Sequence, residues 1–368
     1  MISQKSDNIY RRSILQSELP MVKKNYSVYV YPNISRDAMG SKNPYIEHLK
    51  DSLNANGLAT TRSHARNAFR DLIFKGWRSD MVIFNWIEDL PARKMGLLQT
   101  MVFLLYIPWL KIYGVSILWI KHNKISHSRE RFALKKILCR ILARAADHII
   151  VHGRDADNPA TDKMIVLPHP NNIEATDILK PDLPDEPIID FLIWGSLFPY
   201  KGVLEFLQYV DQNPGFRDKR IHIVGKCSND YWNELLPYVR DKANITLENK
   251  YVDQDDLNKL FRQSRFILFT YRKTSVISSG VLMDSLVACK KIIAPDCGAF
   301  ADMSRQHPFV YLFNDFSEII DLYHKNYKNY NLDYAQVNEF VARNSWYNMG
   351  KKIQELALGD LFLTPSAD

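Results

Sequence analysis

Residues 266–298, FILFTYRKTSVISSGVLMDSLVACKKIIAPDCG, decide how the rest of the chain is read. The apolar run Phe266 to Phe269 reads as a buried strand, a polar loop follows, and Ser278-Ser279-Gly280 marks a helix start. Either serine can cap that helix by accepting a bond from a first-turn N–H, and Gly280 lets a ligand approach the main chain. Val281, Leu282, Leu286 and Val287 recur at helical spacing with Asp284 off their face. Lys290-Lys291 then leads into a second strand, Ile292 to Ala294. Such a unit aims the free N–H groups and positive end of the helix beyond the carboxyl edge of a parallel sheet, where an anion is held. The ligand expected there is a phosphate. Any crossover helix also begins with a cap, so the support has to come from the flanking chain.

On both sides the same alternation continues. Upstream lie strand Ile188 to Trp194, helix Gly202 to Tyr209, strand Arg220 to Val224, helix Tyr231 to Arg240, strand Ile245 to Leu247 and helix Asp255 to Gln263. Before them, 171–187 (NNIEATDILKPDLPDEP) is rich in breakers and reads as a linker. An earlier block holds strands Tyr26 to Tyr31, Asp80 to Glu88, Val115 to Ile120, His148 to Val151 and Met164 to Leu167. Its first helix, Tyr45 to Ala55, stops at Asn56-Gly57. Near-continuous apolar strands are covered on both faces, as in parallel sheets. The expected fold is therefore α/β, with two Rossmann-like domains facing across a cleft. The divisions are a polar lead-in 1–24, a first domain 25–170, the linker 171–187, a second domain 188–345, and a tail 346–368 returning to the first domain. The last amphipathic stretch, Tyr334 to Leu358, reads as one closing helix.

A chain of 368 residues, 46% hydrophobic and 12% aromatic, has room for two cores, and a formal charge of +7 suggests an anionic partner. The four cysteines, Cys139, Cys227, Cys289 and Cys297, are dispersed, which argues against a zinc site or a disulfide framework and fits a reducing cytosol. No apolar export signal opens the chain. Met95 to Ile112 is apolar on nearly all sides but shorter than the roughly 20 residues that span a bilayer, so it reads as a buried or membrane-touching helix. Arg129 to Arg144 interleaves cations with Phe132, Leu134, Ile137, Leu138, Ile141 and Leu142. That pattern suits either a helix lying on anionic lipid or a solvated helix packed by its apolar face.

The strand exits carry the chemistry. Strand Ile188 to Trp194 runs into Gly195-Ser-Leu-Phe-Pro-Tyr-Lys201-Gly202, strand Ile221 to Val224 ends in Gly225-Lys226, and the third exit offers Tyr271-Arg272-Lys273. Three carboxyl-edge loops each with a cation suit a diphosphate.

These segments, GSLFPYKG, IHIVGK, the SSG-headed helix with Asp284 and IIAPDCG, resemble the nucleotide-sugar-binding half of GT-B glycosyltransferases, particularly those of bacterial capsular and exopolysaccharide synthesis. SDMVIFNWIED, ILWIKHNKISH, ADHIIVHG, IVLPHPN and NSWYNMGKKI resemble the strand ends and closing helix of the same enzymes, so the likeness runs from about Tyr26 to Leu358. It implies a donor diphosphate held by Lys201, Ser278, Ser279, Gly280, Arg272 and Lys273. It implies a nucleoside held by Gly195, Gly225, Lys226 and Asp284, and an acceptor side at Asn43, Tyr45 and Asn123. Ser196 stands where the family commonly has Arg, so Arg272 or Lys273 would supply that cation; Asp284 stands for the second of two glutamates and Val276 lies near the first.

The resemblance implies a metal-independent transferase without a cofactor, using a UDP- or GDP-sugar and a lipid-linked or oligosaccharide acceptor, peripheral on the cytoplasmic face of the membrane. If it inverts, the base candidates are His122, Glu88 and Asp37; if it retains, His122 contacts the donor sugar. His152 and His169 read as structural. The competing readings are a UDP-sugar epimerase of the same design, which needs no apolar and basic surface over 95–144, and a member of the fold that has lost catalysis. A nucleic-acid binder would need cations interleaved with exposed aromatics across one face, which the strand-end clustering disfavours.

Overall fold

The structure, a computed structural model, describes residues 26–33, 44–62, 67–122, 131–153, 162–171, 188–273, 279–288, 290–328 and 334–363. Asp37, Asn43, Asn123 and Ser278 lie outside these residues. The described chain forms two six-stranded sheets, parallel at every pairing.

In chain order the first comprises β1 (Ser27–Tyr31), α1 (Pro44–Ala55), β2 (Ala59–Thr60), α2 (Ala68–Lys75), β3 (Met81–Asn85), α3 (Gly96–Ile112), β4 (Ser116–Lys121), α4 (Phe132–Ala145), β5 (His148–Val151) and β6 (Met164–Val166). The second comprises β7 (Ile189–Trp194), α5 (Val203–Gln212), β8 (Ile221–Val224), α6 (Asn229–Leu235), β9 (Ile245–Glu248), α7 (Gln254–Gln263), β10 (Ser264–Leu268), α8 (Gly280–Val287), β11 (Lys291–Pro295), α9 (Gly298–Gln306), β12 (Val310–Phe313) and α10 (Glu318–Asn326). Helices α11 (Tyr334–Arg343) and α12 (Trp346–Leu363) close the chain.

The strand orders are 2-1-3-4-5-6 and 12-11-10-7-8-9. Each reverses direction once, between β1 and β3 and between β7 and β10. Adjacent loops diverge at such a point and leave a crevice at the carboxyl edge. The exits read as sites in the sequence, after β7 and β10, flank the second crevice.

In the first sheet, alternate residues face opposite layers. Val28, Val30, Ile83, Leu118 and Ile120 pack with Ile46, Leu49 and Leu53 of α1 and with Met349, Ile353 and Ala357 of α12. Tyr29, Tyr31, Val82, Phe84 and Trp119 pack against α2, α3 and α4. The last helix thus fills the first domain's core, and Asn56 Nδ2 donates to Tyr347 O at 3.0 Å. Ile353→Ala deletes a fully buried side chain and is expected to cost about 2–5 kcal/mol in urea unfolding. A cost near zero would mean that α12 only rests on the surface.

Tyr334 to Leu358, expected as one helix, is two. Asn171 donates its backbone N–H to Asn344 O at 3.1 Å and its side-chain amide to Val341 O at 3.1 Å, taking carbonyls that a continuing helix would use. Tyr231 to Arg240 is likewise cut short: α6 ends at Leu235, and Pro237 forces a tighter 3-10 turn. Strand β12 and helices α2, α9 and α10 had no separate reading in the sequence. Helix α3 buries Phe103, Tyr106, Ile107 and Leu110 while Leu105 is 77% and Ile112 78% exposed. Among the described residues no helix is long and apolar enough to cross a membrane.

Candidate functional site

The second domain's half of the site is built where β7 leaves its sheet. Gly195 adopts φ +88°, and a Cβ there would lie 2.9 Å from Val281 Cγ2 of α8 and 3.3 Å from Lys201 Nζ. Gly225, at the exit of β8, is closer still: a Cβ would meet Gly195 O at 2.0 Å. Main chains from two exits therefore pass in direct contact, which only glycine allows.

The short turn Pro199–Lys201 is pinned to the β10 exit. Thr270 Oγ1 donates to Lys201 O at 2.7 Å, and Arg272 N donates to Tyr200 O at 3.1 Å. Lys201 is 4% exposed, and its ammonium lies 5.4 Å from the centre of the Tyr271 ring. It has no hydrogen-bond or carboxylate partner among the described residues. Burial lowers its pKa to about 7. Tyr271 and Ser279 hydroxyls are 3.3 Å apart, and Ser279 Oγ caps α8 by accepting from Leu282 N at 3.3 Å. Lys201, Tyr271, Ser279 and the first turn of α8 thus form one continuous wall. It presents a cation and a positive helix end with no anion supplied by the described chain.

The other expected phosphate cations are engaged elsewhere. Arg272 pairs with Glu205, and Lys273 donates to Asn314 Oδ1 at 2.8 Å; both are exposed. Lys226 is half-buried, and its backbone carbonyl accepts from Leu197 N at 2.8 Å. Asp284, one turn into α8, has its pKa raised to about 7 by burial. Its carboxyl is placed to hydrogen-bond a hydroxyl.

Across the cleft, exits from the first sheet converge on Tyr45. Its ring lies 4.7 Å from His122, 5.9 Å from His152, 5.3 Å from His169 and 4.9 Å from Trp346. Trp86 stacks on His122 at 4.3 Å. The hydrogen bonds assign each tautomer. Asn85 Nδ2 donates to Tyr31 O at 3.0 Å, so Asn85 Oδ1, 3.0 Å from His122 Nε2, accepts; His122 carries its proton on Nε2 and keeps a lone pair on Nδ1. His152 Nδ1–H donates to Leu167 O at 3.0 Å, leaving Nε2 to accept from the Tyr45 hydroxyl at 3.0 Å. His169 Nδ1–H donates to Pro170 O at 2.8 Å. Burial holds all three neutral: the pKa of His152 falls to about 3, that of His169 to about 4, and that of His122 well below its usual value.

His169 joins the halves. Its Cε1 is 3.4 Å from where a Cβ on Gly280 would sit, so the imidazole lies against the first turn of α8. His152 and His169, read as structural in the sequence, are packing residues and also walls of this cleft. The signal available was three successive strand exits, after β4, β5 and β6, each carrying a histidine. Trp86, at φ +49°, and Trp346 had no such signal.

Glu88 is not part of this group. It follows β3 on the side of Trp119, Lys121 and Cys139, whereas His122 faces Tyr45 on the opposite side of the sheet edge. It is 3% exposed, and burial, aided by Asp89, raises its pKa to about 7 against the opposing pull of Lys121 and Trp119. Among the described residues no group of three His, Cys, Asp or Glu side chains is arranged to hold a metal ion.

Two parallel α/β domains joined by a returning terminal helix, with glycine-lined exits facing a histidine-rich cleft, define the GT-B fold. Solved structures with that fold superpose on nearly the whole chain. Sucrose-phosphate synthase from Thermosynechococcus elongatus matches with a TM-score of 0.67 at 12% identity, covering 93% of this chain and 100% of that one. HepE of Anabaena, solved in complex with UDP, matches at 0.64 and 10% identity, covering 90% and 99%. Trehalose-6-phosphate synthase from E. coli, bound with UDP-2-fluoro glucose, matches at 0.60 and 11% identity, covering 90% and 98%. No family model and no curated protein matches the sequence.

Proposed function

We propose that this protein is a glycosyltransferase. It moves a sugar from a UDP- or GDP-sugar to a hydroxyl of a lipid-linked or oligosaccharide acceptor in bacterial surface polysaccharide synthesis, on the cytoplasmic face of the membrane and without a metal. The observation that carries the reading is Lys201, buried beside the capped start of α8 with no counter-ion among the described residues. A buried unpaired ammonium is costly, and a diphosphate in the crevice would supply both the missing charge and acceptors for the α8 N–H groups. UDP or a UDP-sugar occupies the Anabaena and E. coli proteins of the same fold, which favours a uridine donor.

In this reading the bond between the anomeric carbon and the β-phosphate oxygen breaks. Negative charge develops on the departing diphosphate beside Lys201 and the helix start, preorganised cations that take the place of a metal. An acceptor hydroxyl bonds to the anomeric carbon. His122 Nδ1, a lone pair held in place by Asn85 and Trp86, accepts the hydroxyl proton under inversion; under retention the proton passes to the departing diphosphate oxygen and His122 contacts the donor sugar. Tyr45, whose hydroxyl is committed to His152, orients the histidines. Asp37 remains an alternative base and Asn43 and Asn123 remain acceptor-side candidates, all three outside the described residues, and Asp284 bonds the ribose. The exposed face of α3 favours a transferase over the epimerase reading, since an epimerase acting on a soluble donor has no use for it.

A thermal-shift panel of UDP, GDP, CDP and ADP with and without magnesium tests this. One diphosphate at about 100 times its dissociation constant stabilises the protein by roughly 2.7 kcal/mol, with or without magnesium. No response to any of them at high concentration would sink the reading. His122→Ala is expected to lower turnover by about 10²–10⁴ while leaving nucleotide affinity intact. Unchanged turnover would remove His122 from the chemistry.

A further inference from the structure

We infer that the outer face of α3 and α4 is a docking surface for an anionic lipid bilayer. Helix α3 is apolar on both sides. One side enters the core, and the other sets Leu97, Leu98, Met101, Leu105, Trp109 and Ile112 outward at helical spacing. A soluble monomer rarely leaves a contiguous apolar ridge of this length uncovered. Helix α4 packs beside it on the same layer, with Lys136, Arg140 and Arg144 exposed at every fourth position and Ile137 46% exposed among them. Neither helix contains a single Asp or Glu.

That composition identifies the occupant. A second copy of the same surface would bring cations against cations with no carboxylate from either helix to offset them, whereas a bilayer of anionic headgroups over an apolar interior matches both halves. The aromatic end agrees. Trp109, Tyr113 and Trp77 form a run with ring centres 4.8 and 5.2 Å apart, and Trp and Tyr favour the headgroup level of a membrane. Lys111, beside them, is held by Asp147 at 2.5 Å.

The orientation has a consequence for the acceptor, which rests on the transferase reading. Helix α3 starts beyond the carboxyl end of β3, and α4 beyond that of β4. The first turns of both therefore lie at the carboxyl, cleft edge of the sheet, on the face opposite the one that His122 turns toward Tyr45. A lipid-linked acceptor would enter along the bilayer from the Leu97–Leu98 end, its polar head reaching the cleft while its chain stays in the membrane.

The test is flotation of the full chain with phosphatidylcholine vesicles, with and without phosphatidylglycerol. Wild type is expected to float only with the anionic vesicles, and less as salt is raised. Lys136→Gln/Arg140→Gln/Arg144→Gln is expected to weaken partitioning about a hundredfold. Met101→Gln/Leu105→Gln, at exposed positions that leave the core intact, is expected to do so by a similar factor. Absence of flotation, or equal flotation of all variants, overturns the inference. So does a dimer that dissociates in Met101→Gln/Leu105→Gln while vesicles are ignored. The UDP thermal shift is read on the same samples. Flotation without a nucleotide response leaves the surface standing and removes the donor reading; a nucleotide response without flotation does the reverse.

Discussion

Lys201→Met is expected to make the free protein more stable and at the same time weaken its binding of a nucleoside diphosphate. Both effects share one cause. The ammonium of Lys201 is desolvated and has no carboxylate partner among the described residues, so folding pulls its pKa down from the usual 10.5 to about 7. For a lysine with a depressed folded pKa the unfolded chain binds more protons between the two values. The native state is then penalised in full below about pH 7, and the penalty fades as pH rises toward 10.5. Near neutrality the penalty is a few kcal/mol, at about 1.4 kcal/mol for each pH unit separating the two values. Methionine fills the same space without it. The variant should unfold at higher urea, and its stability should lose the upward slope between pH 7 and 10. A bound diphosphate reverses the sign by pairing with the cation; truncating one partner of such a pair costs about 2–5 kcal/mol of affinity. Wild-type affinity should weaken above pH 7 relative to Lys201→Met measured at the same pH, which cancels the ligand's own titration. A variant that is both less stable and still binds diphosphate would show that Lys201 is an ordinary core residue.

Gly225→Ala is expected to cost about 3 kcal/mol or more and to remove diphosphate binding with it. The added methyl would sit 2.0 Å from Gly195 O and 2.7 Å from Gly195 C, both main-chain atoms that cannot rotate away. Relief requires the β7 and β8 exits to separate, which shifts the Gly195 turn off Lys201. Gly359→Ala, in α12 with nothing within 4 Å, is the matched control and should be neutral or slightly stabilising. Urea midpoints for the two variants settle the matter; equal midpoints would show that the exits part at little cost.

Much of this architecture is legible in the chain. Apolar runs such as Met81–Asn85 and Ile189–Trp194 can only be strands covered on both faces, and their alternation with amphipathic helices specifies parallel sheets. The serine cap of α8 and the Gly195 exit are visible because their causes are local, an orphan N–H and a positive φ, whereas the need for glycine at 225 comes from its close approach to Gly195 O, a tertiary contact. What ends α11 at Asn344–Ser345 was not legible, because the agent is Asn171, far away in sequence.

Which residues stand at strand exits follows from the chain alone, since periodicity and breakers are properties of neighbours along it. Which of them meet is set by packing between distant segments. Lys121 and His122 are adjacent, yet the strand pleat sends one toward Trp119 and the other toward Tyr45, and Glu88 goes with the first. Arg272 lies one residue from Tyr271 but is drawn off by Glu205, leaving Lys201 as the buried cation beside α8. Charge and burial at a site are sums over partners brought from distant segments, and a sequence pattern carries no such sum.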